Sequence, residues 1–204
     1  MKTKTIENIT IPTPESYKDC ILLAQSDYYR YTGKVTGLFG MLYYALGHPL
    51  FAFSFWLRMS SYKSPIPVWG GGINCFSRFC KIMIGRKRGL MISENMALGY
   101  GLYLSHGFGV VVNPSAVIGN NCTLSQFTTV GAVEGKAAIV GDNVYIGPSV
   151  CLVENVRIGN NSIIGAGAVV VKDVPNNSIV AGVPAKVIAD SSCKKYINHP
   201  WAIK

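Results

Sequence analysis

Three histidines are the side chains of this sequence that can exchange a proton near neutral pH. His48 lies in an apolar stretch before a proline and His199 in the C-terminal tail, so a structural or solvated position accounts for both. His106 instead lies among glycines, two residues after an aliphatic residue. An imidazole with a pKa of about 6.5 can take the proton of an attacking hydroxyl. His106 is therefore the histidine that we select as a candidate for a catalytic role.

The cysteines and histidines do not form a metal-binding pattern. Six cysteines are scattered along the chain: Cys20, Cys75, Cys80, Cys122, Cys151 and Cys193. Their spacing is not that of a zinc or disulfide framework, and we interpret them as small core residues in a reducing cytoplasm. Residues 1–14 lack the basic and apolar zones of a secretory signal. We predict a cytoplasmic protein with no metal site.

Aliphatic residues recur every six positions in the C-terminal part of the chain. They form three runs: Ile92, Leu98, Leu104 and Val110; Val112, Ile118, Leu124 and Val130; Val140, Ile146, Leu152, Ile158, Ile164 and Val170. Glycine often follows them, and a small or β-branched residue often comes four positions later. Short strands joined by corners of Gly, Asn or Asp would turn both positions inward. The pattern predicts a mainly β fold, a parallel β-helix of hexapeptide repeats.

This period divides the chain into three predicted regions. They are an N-terminal helical, apolar and basic segment (1–90), the β-helix (91–188) and a C-terminal tail (189–204). Two interruptions break the period. The step from Val110 to Val112 is a slip of two residues, and residues 132–138, with Glu134 and Lys136, are predicted to form a projecting loop.

The N-terminal segment combines apolar residues with most of the positive charge. The net charge is +9, and residues 1–90 hold twelve Lys or Arg against four Asp or Glu. Residues 14–31 are predicted to form a helix, and residues 35–57 carry no charge. Gly47, His48 and Pro49 interrupt that uncharged run, so we predict a buried or interfacial hairpin rather than a membrane span. The basic residues indicate either a solvated face or contact with anionic lipid at the inner face of the membrane; no nucleic acid partner is expected.

Stacking of the coils is expected to place three residues above His106. Allowing for the two interruptions, they are Gln126, Pro148 and Ala166. The column would rise roughly 14 Å over three coil steps, a length that suits an extended pantetheine arm. Glycines beside it, such as Gly147, would let a ligand approach the backbone closely, although turn formation explains most of them equally well.

These segments resemble the hexapeptide-repeat acyltransferases, which fold as left-handed β-helices, and within them the serine acetyltransferase-like group that includes bacterial polysaccharide O-acetyltransferases. The resemblance covers about residues 91–188 and is most specific at residues 106–112, 118–131 and 165–186. It implies an acetyl-CoA-dependent O-acetyltransferase without a metal, active as a homotrimer or a dimer of trimers, with each active site between two subunits.

The resemblance also implies roles for individual residues. His106 is the catalytic base, and Ser105 and Gln126 lie at substrate-binding positions. The positions expected to bind acetyl-CoA are Gly147, Pro148, Ala166, Val171, Lys172 and Lys186.

Departures from the family pattern bear on the acceptor. Serine acetyltransferases carry an acidic residue where this chain has Ser105, and a longer corner loop with Arg and His in place of residues 132–138. Met91 occupies the position of the carboxylate that usually orients the base, and Glu94 is a weak substitute. We therefore expect the acceptor to be a saccharide hydroxyl, small or lipid-linked, in surface polysaccharide synthesis. Serine acetylation in cysteine synthesis is the alternative, and a non-catalytic scaffold stays open.

Overall fold

The computed structural model describes residues 1–64, 69–132, 135–191 and 196–202. Glu134 of the predicted loop and Cys193 lie outside the described residues. Within them, a hairpin is followed by helices and then by short strands. The first elements are β1 (Lys2–Ile6), β2 (Ile9–Thr13), α1 (Tyr17–Thr32), α2 (Leu38–Gly47), α3 (Pro49–Ser61) and α4 (Trp69–Arg88).

Local signals set the helix ends. The Ser16 hydroxyl accepts a hydrogen bond from the Asp19 amide at 3.2 Å, so α1 begins three residues later than Pro14, the predicted start. Gly33, with a φ of +67°, ends α1. The predicted break around His48 is confirmed, because α2 ends before it and α3 begins after it. The hairpin of β1 and β2 was not predicted.

The later strands form sheets that wrap around one core and close a β-helix, as the repeat predicted. One sheet contains β3 (Ala97–Leu98), β6 (Val117–Ile118), β9 (Ile139–Val140) and β12 (Arg157–Ile158). A second contains β5 (Val111–Val112), β8 (Thr129–Gly131), β11 (Cys151–Val153) and β14 (Val169–Val170). The third contains β4 (Tyr103–Ser105), β7 (Thr123–Ser125), β10 (Tyr145–Ile146), β13 (Ile163–Ile164), β15 (Ser178–Ala181) and the antiparallel β16 (Lys186–Asp190).

The aliphatic residues of the repeat form the core of the β-helix. Leu104, Ile118 and Val140 are fully buried, and so are Cys122 and Val144 at the small-residue position. Burial of one such aliphatic side chain stabilises the fold by about 1.5–3 kcal/mol, and the column repeats it along the axis. Both inward positions predicted from the period are therefore confirmed.

The two-residue insertion that interrupts the six-residue period in the first coil lies at a different place from the predicted one. Leu104 pairs with Leu124 and Val112 pairs with Val130, so Leu104 and Val112 are consecutive aliphatic residues of the repeat. Val110 is buried at the small-residue position instead. The slip predicted between Val110 and Val112 is therefore wrong, because an inward valine at either position gives the same sequence pattern. The insertion lies in the corner that contains His106.

The helices cover the first coil of the β-helix. Phe53 and Leu57 of α3 belong to the core of the β-helix, whereas Phe51 and Phe55 pack with α1 and α2 in a second cluster. The uncharged stretch is thus partly buried, as the hairpin prediction allowed. None of the helices in the described part of the chain is long and apolar enough to cross a membrane.

Candidate functional site

His106 lies in the corner between β4 and β5, directly after Ser105 at the end of β4. Its side chain is exposed and its backbone has a φ of +51°, in the left-handed region. Non-glycine residues adopt that region rarely, and such positions cluster at functional sites. The corner therefore presents an imidazole to solvent, which is the position that the sequence predicted for a general base.

Glycines allow this corner to pack closely. A Cβ at Gly107 would lie 2.6 Å from a methyl carbon of Leu50 in α3. Gly109 has a φ of +62°, and a Cβ there would lie 2.7 Å from the ring of Phe127. The backbone beside His106 thus lies between a helix and the next coil, and larger residues at these two positions would push against the Leu50 and Phe127 side chains.

Tyr31 of α1 holds the strand that leads to His106. Its hydroxyl accepts a hydrogen bond from the Leu104 amide at 3.1 Å and donates one to the Leu104 carbonyl at 3.3 Å. Burial raises the pKa of this phenol, so it keeps its proton at physiological pH. A single hydroxyl therefore takes the place of a neighbouring strand at the open edge of β4.

We expect Tyr31→Phe to lower the thermal stability without changing the fold. The substitution leaves the amide and carbonyl of Leu104 without a partner, at a cost of about 1–3 kcal/mol. In a chain of this size, each kcal/mol corresponds to roughly 2–4 °C in Tm. Thermal unfolding followed by circular dichroism measures the shift. Tyr43→Phe, which removes a hydroxyl from an exposed ring, is the matched control, and equal effects of the two substitutions would contradict this role.

Buried charged side chains of α1 and α3 form hydrogen bonds with the backbone at the lower edge of the first coil. Asp27 accepts two hydrogen bonds from the Arg58 guanidinium, at 2.9 and 3.0 Å, and a third from the Leu102 amide at 2.7 Å. Arg58 also donates to the Gly99 carbonyl at 2.6 Å. Because the edge of the first coil has no strand beneath it, these charged groups satisfy its free backbone atoms.

The predicted column above His106 is largely present. Register places Ser125 above Ser105, and the Gln126 carbonyl accepts from the Ser149 amide at 2.9 Å, which puts Pro148 above Gln126. The Pro148 carbonyl accepts from the Gly167 amide at 2.8 Å, which puts Ala166 above Pro148.

The lower end of the column differs from the predicted arrangement. The Phe127 amide bonds to the Phe108 carbonyl, so the backbone beneath Gln126 is that of Phe108, and His106 belongs to the two-residue bulge beside it. The predicted vertical alignment of His106 with Gln126 is therefore only approximate, because the insertion falls in this corner.

The other predicted donor-binding residues lie at different places in the fold. The Gly147 amide donates to the Ile164 carbonyl at 2.9 Å, and a Cβ there would lie 2.8 Å from the same oxygen. Close packing between coils therefore explains why position 147 is a glycine. Val171 and Lys172 are exposed after β14, one corner beyond Ala166, and Lys186 is exposed at the start of β16.

An apolar cavity of about 710 Å³ adjoins the His106 corner, although His106, Ser105 and Gln126 are not among the residues that line it. Met91, Val111 and Thr129 form its β-helix wall, and Ile82 and Arg86 belong to its α4 wall. Its lining includes Gly89, where an added Cβ would lie 3.4 Å from the Gly109 backbone in the His106 corner. Cavities of this size and lining are typical of small-molecule sites. Sequence reasoning did not find it, because α4 and the first coil form it together.

The two residues considered for orienting His106 make contacts with other residues. Met91 is exposed and bridges to Val111. Glu94 accepts a hydrogen bond from Lys81 and forms an ion pair with Arg78. Partial burial alone would raise the pKa of Glu94, but its contacts with Lys81 and Arg78 hold it below the ordinary value. Glu94 is thus an ionised partner of α4.

Ser125 is a further residue that the sequence did not single out. Its hydroxyl is buried, and within the described residues it has no hydrogen-bond partner. It lies directly before Gln126 and is paired with Ser105. A buried hydroxyl without a partner costs free energy, so a ligand or a water that bonds to it would be favoured.

Comparison with known proteins agrees with this architecture. Residues 137–172 match the family model for the bacterial transferase hexapeptide of six repeats. A serine acetyltransferase of Neisseria gonorrhoeae, solved in complex with serine, superposes with a TM-score of 0.60 at 30% identity, over 84% of this chain and 69% of that one. The chain belongs to the hexapeptide-repeat family of left-handed β-helix acyltransferases.

Curated relatives of this hexapeptide-repeat protein are likewise named serine acetyltransferases. The serine acetyltransferase of Synechococcus elongatus is 34% identical over 52% of this chain and 45% of its own length. The serine acetyltransferase of Staphylococcus aureus strain Mu50 is 36% identical over 54% of this chain and 55% of its own length. The chain thus spans about half the length of these curated relatives, so their activity and substrates do not transfer to it by likeness alone.

Proposed function

We propose that this protein is an acetyl-CoA-dependent O-acetyltransferase with His106 as its general base. The supporting observation is the exposed imidazole in the bulge beside the lower end of the column, in a hexapeptide-repeat fold. The acceptor oxygen would attack the thioester carbonyl while His106 takes the hydroxyl proton. The C–S bond then breaks, and the proton passes from the imidazolium to the leaving thiolate. Proton transfer of this kind contributes roughly 10² to 10⁴ in rate.

The donor would lie along the column of small residues. Pro148 and Ala166 would contact its extended arm, and Lys172 and Lys186 would pair with its phosphates. Val171 and Lys172 lie one corner away from the column, so they would complete the site of a neighbouring copy. This arrangement favours a homotrimer, or a dimer of trimers, with donor sites between subunits.

Serine is the first acceptor to test. The relatives and the solved neighbour reported above are named serine acetyltransferases, and they support serine, the alternative acceptor in the sequence analysis, better than a saccharide. Arg86 in the cavity wall could hold a carboxylate. On this proposal the protein would make O-acetylserine for cysteine synthesis in the cytoplasm.

A saccharide hydroxyl is the second candidate. A single amino acid would leave most of the 710 Å³ cavity empty, whereas a sugar unit with its substituents would fill more of it. Ser105 and Met91 also stand where the family resemblance implies acidic residues, and a neutral acceptor needs no such charges. A lipid-linked saccharide would further require contact with a membrane.

A thiol-release assay with acetyl-CoA distinguishes the candidates. The purified protein is given free serine or hydroxyl-bearing sugars, and kcat/KM is compared. Turnover with serine alone supports cysteine synthesis, and turnover with sugars alone supports the second candidate. If neither acceptor is acetylated and calorimetry detects no acetyl-CoA binding, the acetyltransferase proposal is wrong.

A further inference from the structure

Helix α2 exposes large apolar side chains to an unusual degree. Phe39, Tyr43 and Leu46 have exposed fractions of 87%, 81% and 86%. Their spacing of four and three residues places them on one side of the helix. Leaving three such side chains in water forgoes several kcal/mol of burial free energy, so this side of α2 is expected to be covered in use.

The apolar surface continues across α3 to α4. A cavity of about 550 Å³ lies between the helices, with walls from Leu46, Pro49, Trp56 and Ile84. The ring of Phe76 in α4 packs edge-on against Trp56 with centroids 5.3 Å apart. We call the following exposed residues the apolar face: Phe39, Tyr43, Leu46, Phe76, Phe79 and Met83.

Exposed lysines lie close in sequence to both helices that form this face. The sequence contains no Asp or Glu between Asp27 and Glu94. Lys34 lies four residues before the first residue of α2, and Lys87 follows Met83 by one helical turn on α4; both are exposed. The surroundings of the apolar face therefore attract anions.

We propose that the apolar face binds the surface of an anionic lipid bilayer. Aromatic and aliphatic side chains would enter the headgroup boundary while Lys34 and Lys87 pair with lipid phosphates. A second copy of this chain would bring the same positive charges and no carboxylates from this region, so lipid is the better occupant. The contact is peripheral, since no described helix can span the bilayer. It does not depend on the proposed acetyl transfer.

Co-sedimentation with vesicles tests this surface. The probes are vesicles of phosphatidylcholine with one quarter phosphatidylglycerol, and vesicles of phosphatidylcholine alone. We expect binding to the anionic vesicles at low salt and its loss near 1 M salt, where the screening length falls from about 10 Å to about 3 Å. No binding to anionic vesicles at low salt, or equal binding to both kinds, overturns the proposal.

Paired substitutions separate this face from the rest of the surface. Lys34→Gln/Lys87→Gln should weaken binding at least about tenfold. Lys18→Gln/Lys136→Gln, which gives the same net charge of +7 away from the face, should have little effect. Phe39→Ser/Leu46→Ser should weaken binding at least about tenfold, and Val187→Ser/Ile188→Ser on β16 is its control. Equal losses in test and control variants overturn the proposal.

Sedimentation velocity without lipid tests the competing occupant. We expect Phe39→Ser/Leu46→Ser to leave the mass of the wild-type particle unchanged. If this variant lowers the mass of the particle and binds vesicles as the wild type does, a second copy covers the apolar face and the lipid proposal is wrong.

Discussion

Replacing His106 with alanine is expected to lower the turnover number at least about a hundredfold. The exposed imidazole is the proposed base of the acyl transfer, and no second histidine belongs to this corner. Because the side chain is exposed, its removal should leave the fold and the affinity for acetyl-CoA unchanged. Steady-state kinetics with the acceptor found by the thiol-release assay measures the effect, and calorimetry checks donor binding.

The other histidines provide matched controls. His48 stacks on Tyr44 with ring centroids 3.7 Å apart, and His199 lies beside the ring of Tyr29. His48→Ala and His199→Ala should alter stability slightly and leave turnover near the wild-type value. Full turnover in His106→Ala would contradict the assigned base, and a comparable loss in all three variants would point to a general effect on folding.

The parts of the fold that depend on short-range periodicity could be predicted from the sequence. The aliphatic residue every six positions identified the β-helix, because each coil buries it in the same way. The location of the insertion could not be predicted, since Val110 and Val112 both point inward and only strand pairing distinguishes them. The β1–β2 hairpin was missed because its buried residues, Ile9 and Ile11, pack against Val117 and Ile139, more than a hundred residues later in the chain.

Only part of the candidate site could be proposed from the sequence, again because local patterns do not report long-range contacts. His106 has a scarce residue type in a recognisable segment, so the sequence was sufficient to propose it as the base. Tyr31 acts on Leu104 from a helix more than seventy residues earlier, and the apolar cavity lies between α4 and the first coil. Contacts of this kind depend on how the helices pack against the β-helix, which no local pattern specifies.

Asp27 is expected to be the carboxylate whose loss most destabilises the protein. Asp27→Asn leaves the Arg58 guanidinium buried without its counter-charge, and breaking a buried ion pair in this way costs about 3–5 kcal/mol. The Asp27 and Arg58 side chains are at most 3% exposed, so water cannot replace the lost partner. In a chain of this size the expected fall in Tm is about 6–20 °C. Thermal and chemical unfolding measure it.

Glu7→Gln is the matched control, because Glu7 also makes a two-point contact with an arginine. Arg157 donates to it at 2.6 and 3.0 Å, but both side chains are largely exposed. Solvent and salt screen such a pair, so its loss should change the stability little. Asp27 further accepts from the Leu102 amide, which ties the ion pair to the strand that leads to His106. Equal effects of the two substitutions would show that burial of the Asp27–Arg58 pair does not fix the first coil.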